Sequence, residues 1–94
     1  MPIWRIETCK EQSGYRSTAS IYNNIRDGLW TKPVNIGQRS VGWPSEEVEA
    51  INKARIAGAN NDQLRQLVKQ LHAKRPALLL EVLCVNDIDP LTKK

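Results

Sequence analysis

Short polar side chains and basic side chains alternate through one stretch of the chain, from residue 16 to residue 40. An Asn side chain can pair with adenine through two hydrogen bonds, and Ser and Thr hydroxyls can donate or accept. Arg and Lys side chains bind the phosphate oxygens of a nucleic-acid backbone. These residue types could therefore together read base edges and hold phosphates of double-stranded DNA. The candidate contact residues are Arg16, Ser17, Thr18, Ser20, Asn23, Asn24, Arg26, Lys32, Gln38, Arg39 and Ser40.

Catalytic or metal-ion chemistry has few candidate residues. The chain has one His, His72, and two Cys, Cys9 and Cys84, which lie far apart in the sequence. A CxxC site is therefore excluded, and no Gly-rich phosphate loop is present. We expect two free thiols in the cytoplasm, no metal, no cofactor, no catalytic residue and no enzyme activity. We expect no signal peptide and no membrane span, because no apolar run is long enough.

The charge is unevenly distributed along the 94 residues, whose net charge is +4. Residues 1–43 contain six basic and three acidic side chains, whereas residues 44–94 contain eight and seven. A chain of this length forms one small domain with a modest core. A nucleic-acid surface, if present, should therefore lie in the first half, which holds most of the positive charge.

The candidate contact residues need a helix to present them, and the sequence predicts one. Residues 3–6 suggest a short strand or an extended lead-in, and residues 7–13 suggest a helix ended by Gly14. Ser17 is a good N-cap for a second helix over residues 18–27, which Gly28 closes. Two helices joined by a tight turn form a helix-turn-helix, and the first residues of the second helix reach base edges in the major groove.

A β-hairpin is predicted to follow, with Gly37 and Gln38 in a two-residue type II′ turn. A hairpin directly after a helix-turn-helix is a wing, and Arg39 lies at its tip. The predicted register places Val34 opposite Val41 and Ile36 opposite Arg39. One face of the hairpin then carries the apolar residues Val34, Ile36, Val41 and Trp43.

Two further helices are predicted after the wing. Ser45 is the expected N-cap of the third helix, and Gly58 ends it. Asn60 or Asn61 caps a fourth helix with an apolar stripe, and Pro76 ends that helix. The fold class is thus mainly α with a small β-hairpin, a winged helix-turn-helix followed by an additional C-terminal helix.

The segment after Pro76 is apolar and is compatible with either a helix or a strand. We divide the chain into a DNA-binding domain, residues 1–75, and a C-terminal segment, residues 76–94, whose last residues, 86–94, form a loose end. The segment either folds back over the fourth helix to complete the core or docks on a neighbouring copy. Its large apolar residues are Leu78, Leu79, Leu80, Val82, Leu83 and Val85.

Residues 20–43 contain Ile21-Tyr22, an Asp before Gly28, Lys32-Pro33, Arg39 and Val41-Gly42-Trp43, in that order. This pattern resembles the AlpA family of prophage regulators, which are similar to the excisionases, or recombination directionality factors. The similarity extends over about residues 7–72. The stretch from Gly14 to Gly28 is one residue longer than the family spacing, which shifts the register at the start of the second helix by one position. The base-reading residues are therefore predicted as a set and not one by one.

The resemblance implies a winged module similar to the MerR type that binds double-stranded DNA of a prophage or another mobile element. Such proteins activate transcription of an integrase gene, or bend attachment-site DNA so that the integrase excises the element. The resemblance thus makes an integrase a candidate partner, along with further copies of the chain arranged head to tail on DNA. The rival hypothesis is a small protein-interaction module or inhibitor that uses the apolar C-terminal segment.

Overall fold

The computed structural model describes residues 2–87, with side chains through residue 83. The predicted fold class is confirmed, since residues 2–87 form four helices and a small three-stranded antiparallel sheet. The elements follow in the order β1 (Ile3–Trp4), α1 (Ile6–Ser13), α2 (Thr18–Arg26), β2 (Val34–Asn35), β3 (Val41–Pro44), α3 (Ser45–Ile56) and α4 (Asn61–Asp87).

Helices α1 and α2 form the predicted helix-turn-helix. Gly14 follows α1 with a φ of 77°, a left-handed conformation that glycine adopts without steric cost. Ser17 caps α2, because its side-chain oxygen accepts a hydrogen bond from the Ser20 N–H at 3.2 Å. Ile21 is fully buried on the inner side of α2, so the polar residues of this helix face outward.

Strands β2 and β3 form the predicted hairpin, but the predicted register is wrong. Val34 pairs with Gly42 and Asn35 with Val41, and the Ile36 N–H donates to the Ser40 carbonyl at 3.0 Å. The loop therefore contains three residues, 37–39, instead of two. Gly37 has no positive φ, so the type II′ turn is not formed.

The change of register also overturns the predicted single apolar face of the hairpin. Because side chains alternate along a strand, Val34 and Ile36 share the side of Gly42, while Trp43 points to the opposite side. Trp43 is fully buried, whereas Ile36 is 40% exposed. Gly42 is required here, since a Cβ at this position would lie 2.6 Å from Cγ2 of Ile3.

A third strand, β1, pairs with β3 and gives the sheet order β1-β3-β2. This strand also explains why Ser45 is not the N-cap of α3. Pro44 occupies that position, and no side chain caps the helix. Ser45 is instead the first helical residue, and its backbone N–H donates to the Pro2 carbonyl at 2.8 Å. The predicted Ser45 cap is therefore wrong.

Helix α4 begins at a reciprocal capping pair. The Asn60 side-chain oxygen accepts from the Gln63 N–H at 2.8 Å, and the Gln63 side-chain oxygen accepts from the Asn60 N–H at 2.9 Å. This geometry is a capping box. Of the two predicted N-caps of α4, Asn60 and Asn61, it is therefore Asn60 that caps the helix.

Pro76 does not end α4, so that prediction is wrong. A proline inside a helix removes one hydrogen bond and costs about 3 kcal/mol. Residues 77–81 are strong helix formers. Arg75, the residue before the proline, is bound to Glu47 of α3. The helix continues to Asp87, so residues 86 and 87 are not a loose end, and residues 88–94 lie outside the described part.

The extension of α4, defined as residues 77–87, does not fold back over the core. Its large apolar side chains through residue 83 are between 41% and 62% exposed. The expectation that this segment completes the core is therefore wrong. Within residues 2–87, no helix is long and apolar enough to span a lipid bilayer.

The core lies beneath the sheet and between the helices. Trp43 is buried in it, and Val68 of α4 joins the same cluster. Cys9 is a free, fully buried thiol, and burial raises its pKa to about 11. The thiol therefore stays protonated at neutral pH, while the side chain of Cys84 lies outside the described residues.

Candidate nucleic-acid interface

The outward face of α2 carries most of the predicted base-reading residues. Thr18 and Asn23 are exposed, and Ser20 and Asn24 are partly buried. Ser17 is exposed but is engaged in the cap of α2, and its hydroxyl lies 3.0 Å from that of Ser20. Asn23 is therefore the predicted Asn whose side chain lies most openly on the surface.

Asn24 is held by a neighbouring side chain. Its amide nitrogen donates to the Tyr15 hydroxyl at 2.7 Å, and Arg55 of α3 donates to the same hydroxyl. The sequence did not identify Tyr15 or Arg55 as functional residues. The available signal was the position of Arg55, a cation on the same helical stripe as the buried Val48 and Ile51.

The predicted phosphate-binding residues beside α2 are exposed. Arg16 lies in the turn before the helix, and Arg26 lies in its last turn. The Arg26 guanidinium is 3.5 Å from the carboxylate of Asp27, and both side chains are at least half exposed. Such an exposed pair contributes little to stability and leaves Arg26 available to phosphate.

The wing presents the remaining predicted residues at its tip. Gln38 and Arg39 are exposed, and Ser40 is partly buried. Arg39 forms no ion pair with any residue in the described part of the chain. The base of the wing packs against α2, because the Tyr22 ring contacts the Trp43 ring edge to face, with centroids 6.2 Å apart.

Lys32 lies in the connection between α2 and the wing, and α4 holds its backbone. The Lys32 N–H donates to Nε2 of His72 at 3.0 Å, and Arg75 donates to the Lys32 carbonyl at 2.7 Å. Burial, assisted by the positive charges of Arg75 and Lys32, lowers the pKa of His72 against an opposing effect of Glu47. The neutral imidazole thus fixes a loop, and the exposed Lys32 side chain projects from it.

Comparison with known proteins adds a family match. A family model described as prophage CP4-57 regulatory protein (AlpA) matches residues 8–55. The match covers most of α1, all of α2 and the wing, and almost all of α3, and it spans half of the chain. The comparison found no matching curated protein and no matching solved structure.

Proposed function

Because the chain belongs to the AlpA family of prophage regulatory proteins, we propose that it binds DNA of a mobile element through α2 and the wing. The family is one of regulatory proteins and not of enzymes. The proposed role is that of an excisionase, or recombination directionality factor, which bends attachment-site DNA in the cytoplasm. Transcriptional regulation of an integrase gene is the second form of this role, and the integrase is a candidate partner.

One observation carries the proposal. The exposed polar face of α2 and the exposed Arg39 at the wing tip both lie inside the segment that matches the family model. A helix with Asn and hydroxyl side chains at its outer face suits the major groove. A narrow wing with an exposed Arg at its tip suits a phosphate or a minor groove.

Footprinting on the attachment site and on the integrase promoter of the host element tests the proposal and separates its two forms. Protection and bending at the attachment site support the excisionase role, and protection of the promoter alone supports transcriptional regulation. The absence of protection on either DNA, for a folded protein, would refute DNA binding at these sites.

Asn23→Ala is expected to relax specificity at one base pair. If Asn23 pairs with a base, its loss costs roughly 1–3 kcal/mol for the preferred base and little for the others. The measurement is a gel shift on DNA sites that carry each base pair at each position. The same comparison applies to Asn24, Ser20 and Thr18, and a uniform loss over all sequences would identify a phosphate contact instead.

Arg39→Ala is expected to weaken binding to every sequence alike. Loss of one phosphate contact lowers the slope of log affinity against log salt by about one. The fold is expected to survive, because the side chain is exposed. Arg39→Lys, which keeps the charge, serves as the control, and unchanged binding of Arg39→Ala at moderate salt would contradict the assignment of the wing.

The α4 extension has an exposed apolar surface for which we propose a second copy of the chain as the partner. Residues 61–75 of α4 carry Arg65, Lys69, Lys74 and Arg75 against a single acid, whereas residues 77–87 carry two acids and no base. Between α3 and α4, an apolar groove is lined by Ala50, Leu71 and Leu78. Its charged edge is balanced, with Glu46 and Lys74 beside the Arg75–Glu47 ion pair. The exposed apolar side chains of the extension of one copy match the apolar lining of this groove on the next copy.

A contact of this kind is head to tail, so it would extend along DNA instead of closing into a dimer. Deletion of residues 77–94 is expected to leave a folded protein that binds a single site but loses cooperative binding to adjacent sites. The measurements are melting temperature and gel shifts on one and two adjacent sites. A truncated protein that keeps its cooperative binding would refute this contact. If the truncated protein keeps cooperativity but no longer binds the integrase, the partner of the exposed surface is the integrase.

The exposed extension also favours the rival hypothesis of a protein-interaction module or inhibitor. The two hypotheses differ in their dependence on salt. A DNA-binding protein loses affinity for DNA steeply as salt rises, whereas an apolar contact between proteins does not. A folded protein without salt-dependent binding to duplex DNA would therefore favour the interaction module.

A further inference from the structure

A polar groove lies on the flank of α2, between that helix and the ends of α3 and α4. Ser20 and Asn23, which belong to the outward face of α2, also line this groove. Its remaining lining residues are Tyr15, Asn24, Leu29, Arg55, Ala59, Asn61 and Leu64. Arg55 is the only charged residue among them, so no carboxylate in this lining offsets its charge.

The Tyr15 hydroxyl has a proton to donate and no acceptor for it among residues 2–83. The oxygen already accepts two hydrogen bonds, from Asn24 at 2.7 Å and from Arg55. A phenol oxygen has two acceptor positions and one O–H donor. No described residue accepts this third hydrogen bond, so an acceptor that enters the groove could take it.

Arg55 is held in place, and part of its guanidinium has no hydrogen-bond acceptor within residues 2–83. Its guanidinium lies 5.5 Å from the centroid of the Tyr15 ring, and that ring packs edge to face on Trp30. It forms no ion pair within residues 2–83, and its Nε is buried without a hydrogen-bond partner. A buried donor without an acceptor costs stability and calls for an explanation.

The N-terminus of α4 borders the groove, and the Asp62 carboxylate in its first turn is paired with Arg65. Asn61, the first residue of α4, lines the groove. The N-terminus of a helix carries a partial positive charge that favours anions. A fixed guanidinium, a free O–H and a helix N-terminus beside the outward face of α2 are together suited to one phosphate group.

We propose that Tyr15 and Arg55 form a phosphate-binding site that holds one backbone phosphate of the DNA beside α2. The inference rests on the proposed DNA binding and adds two contact residues to it. Asn24 is then a positioning residue, because its amide orients the Tyr15 hydroxyl toward the phosphate.

The test compares Arg55→Gln with Lys53→Gln, which removes one positive charge from an exposed position of the same helix. The probe is a short duplex of arbitrary sequence at several salt concentrations, read by fluorescence anisotropy. Arg55→Gln is expected to weaken binding roughly three- to tenfold at low salt and to lower the salt slope by about one. Lys53→Gln is expected to change neither by a comparable amount.

Tyr15→Phe provides a second variant that keeps every charge. It is expected to weaken duplex binding with an unchanged salt slope and to remain folded, as judged by circular dichroism. If both variants are folded and bind like Lys53→Gln while the parent protein binds the duplex, the phosphate site is refuted and DNA binding stands. If Arg55→Gln does not fold, parent-like binding by Tyr15→Phe refutes the site on its own.

Inorganic phosphate at constant ionic strength separates a DNA phosphate from a free one. The expected result is no Arg55-dependent rise in melting temperature. The contrary result has two parts. Phosphate raises the melting temperature of the parent protein but not that of Arg55→Gln, and Arg55→Gln binds the duplex as well as Lys53→Gln does. This result would assign the groove to free phosphate and overturn the proposal. A parent protein that binds no duplex at all would instead refute the proposed function.

Discussion

Trp43→Ala is expected to destabilise the protein by about 3–5 kcal/mol, the usual cost of emptying a large aromatic site in a core. Trp43 is fully buried, and its indole N–H donates to the Thr31 carbonyl at 2.9 Å. The substitution therefore removes packing and also leaves a buried carbonyl without its donor. Small domains have only about 5–15 kcal/mol of stability, so the variant should be partly or wholly unfolded.

Urea denaturation followed by circular dichroism measures this loss. Ile56→Ala is the matched control, because Ile56 is 87% exposed and its truncation should change stability by less than about 0.5 kcal/mol. A Trp43→Ala protein that keeps its stability and loses only DNA binding would show that Trp43 serves as a contact surface instead of a core residue.

Arg75→Leu is expected to cost about 3 kcal/mol, because it leaves a nearly buried carboxylate without its partner. Two nitrogens of Arg75 donate to the two oxygens of Glu47 at 2.8 and 2.6 Å, and Glu47 is only 6% exposed. The same guanidinium also donates to the Lys32 carbonyl. Its loss should therefore loosen α4 from both α3 and the connection that leads into the wing.

Thermal and urea unfolding of the variant measure the effect, with Lys74→Leu as the control. Lys74 is the exposed neighbour on the same helix, and its replacement removes the same charge without breaking this pair. The double variant Glu47→Met, Arg75→Leu should recover part of the loss, since the unpaired carboxylate is then absent. Equal stability of Arg75→Leu and Lys74→Leu would contradict the role of the pair.

Local sequence signals predicted the helices that present the candidate interface. Gly14 and Ser17 marked the turn between α1 and α2, because their backbone and capping preferences act within a few residues. The buried Ile21 set the direction in which α2 faces. Exposure of Asn23 and Arg39 followed from these local elements, and the family resemblance pointed to the same segment.

Other features depended on contacts between residues distant in the sequence. The three-residue loop of the wing is part of a hairpin on which β1 also packs, with Ile3 against Gly42. The sequence predicted Ser45 as the N-cap of α3. In the structure, the Pro2 carbonyl accepts a hydrogen bond from the Ser45 N–H. Neither partner lies within the window that hairpin and capping patterns cover.

The sequence by itself determined the helix-turn-helix, the presence of the wing and the polar face of α2, because caps, turns and helical periodicity are local properties. The tertiary structure alone decided the register of the wing, the continuation of α4 through Pro76 and the meeting of Tyr15, Asn24 and Arg55. These outcomes depend on pairs some tens of residues apart, such as Arg75 with Glu47 and Arg55 with Tyr15. Only folding brings such side chains together.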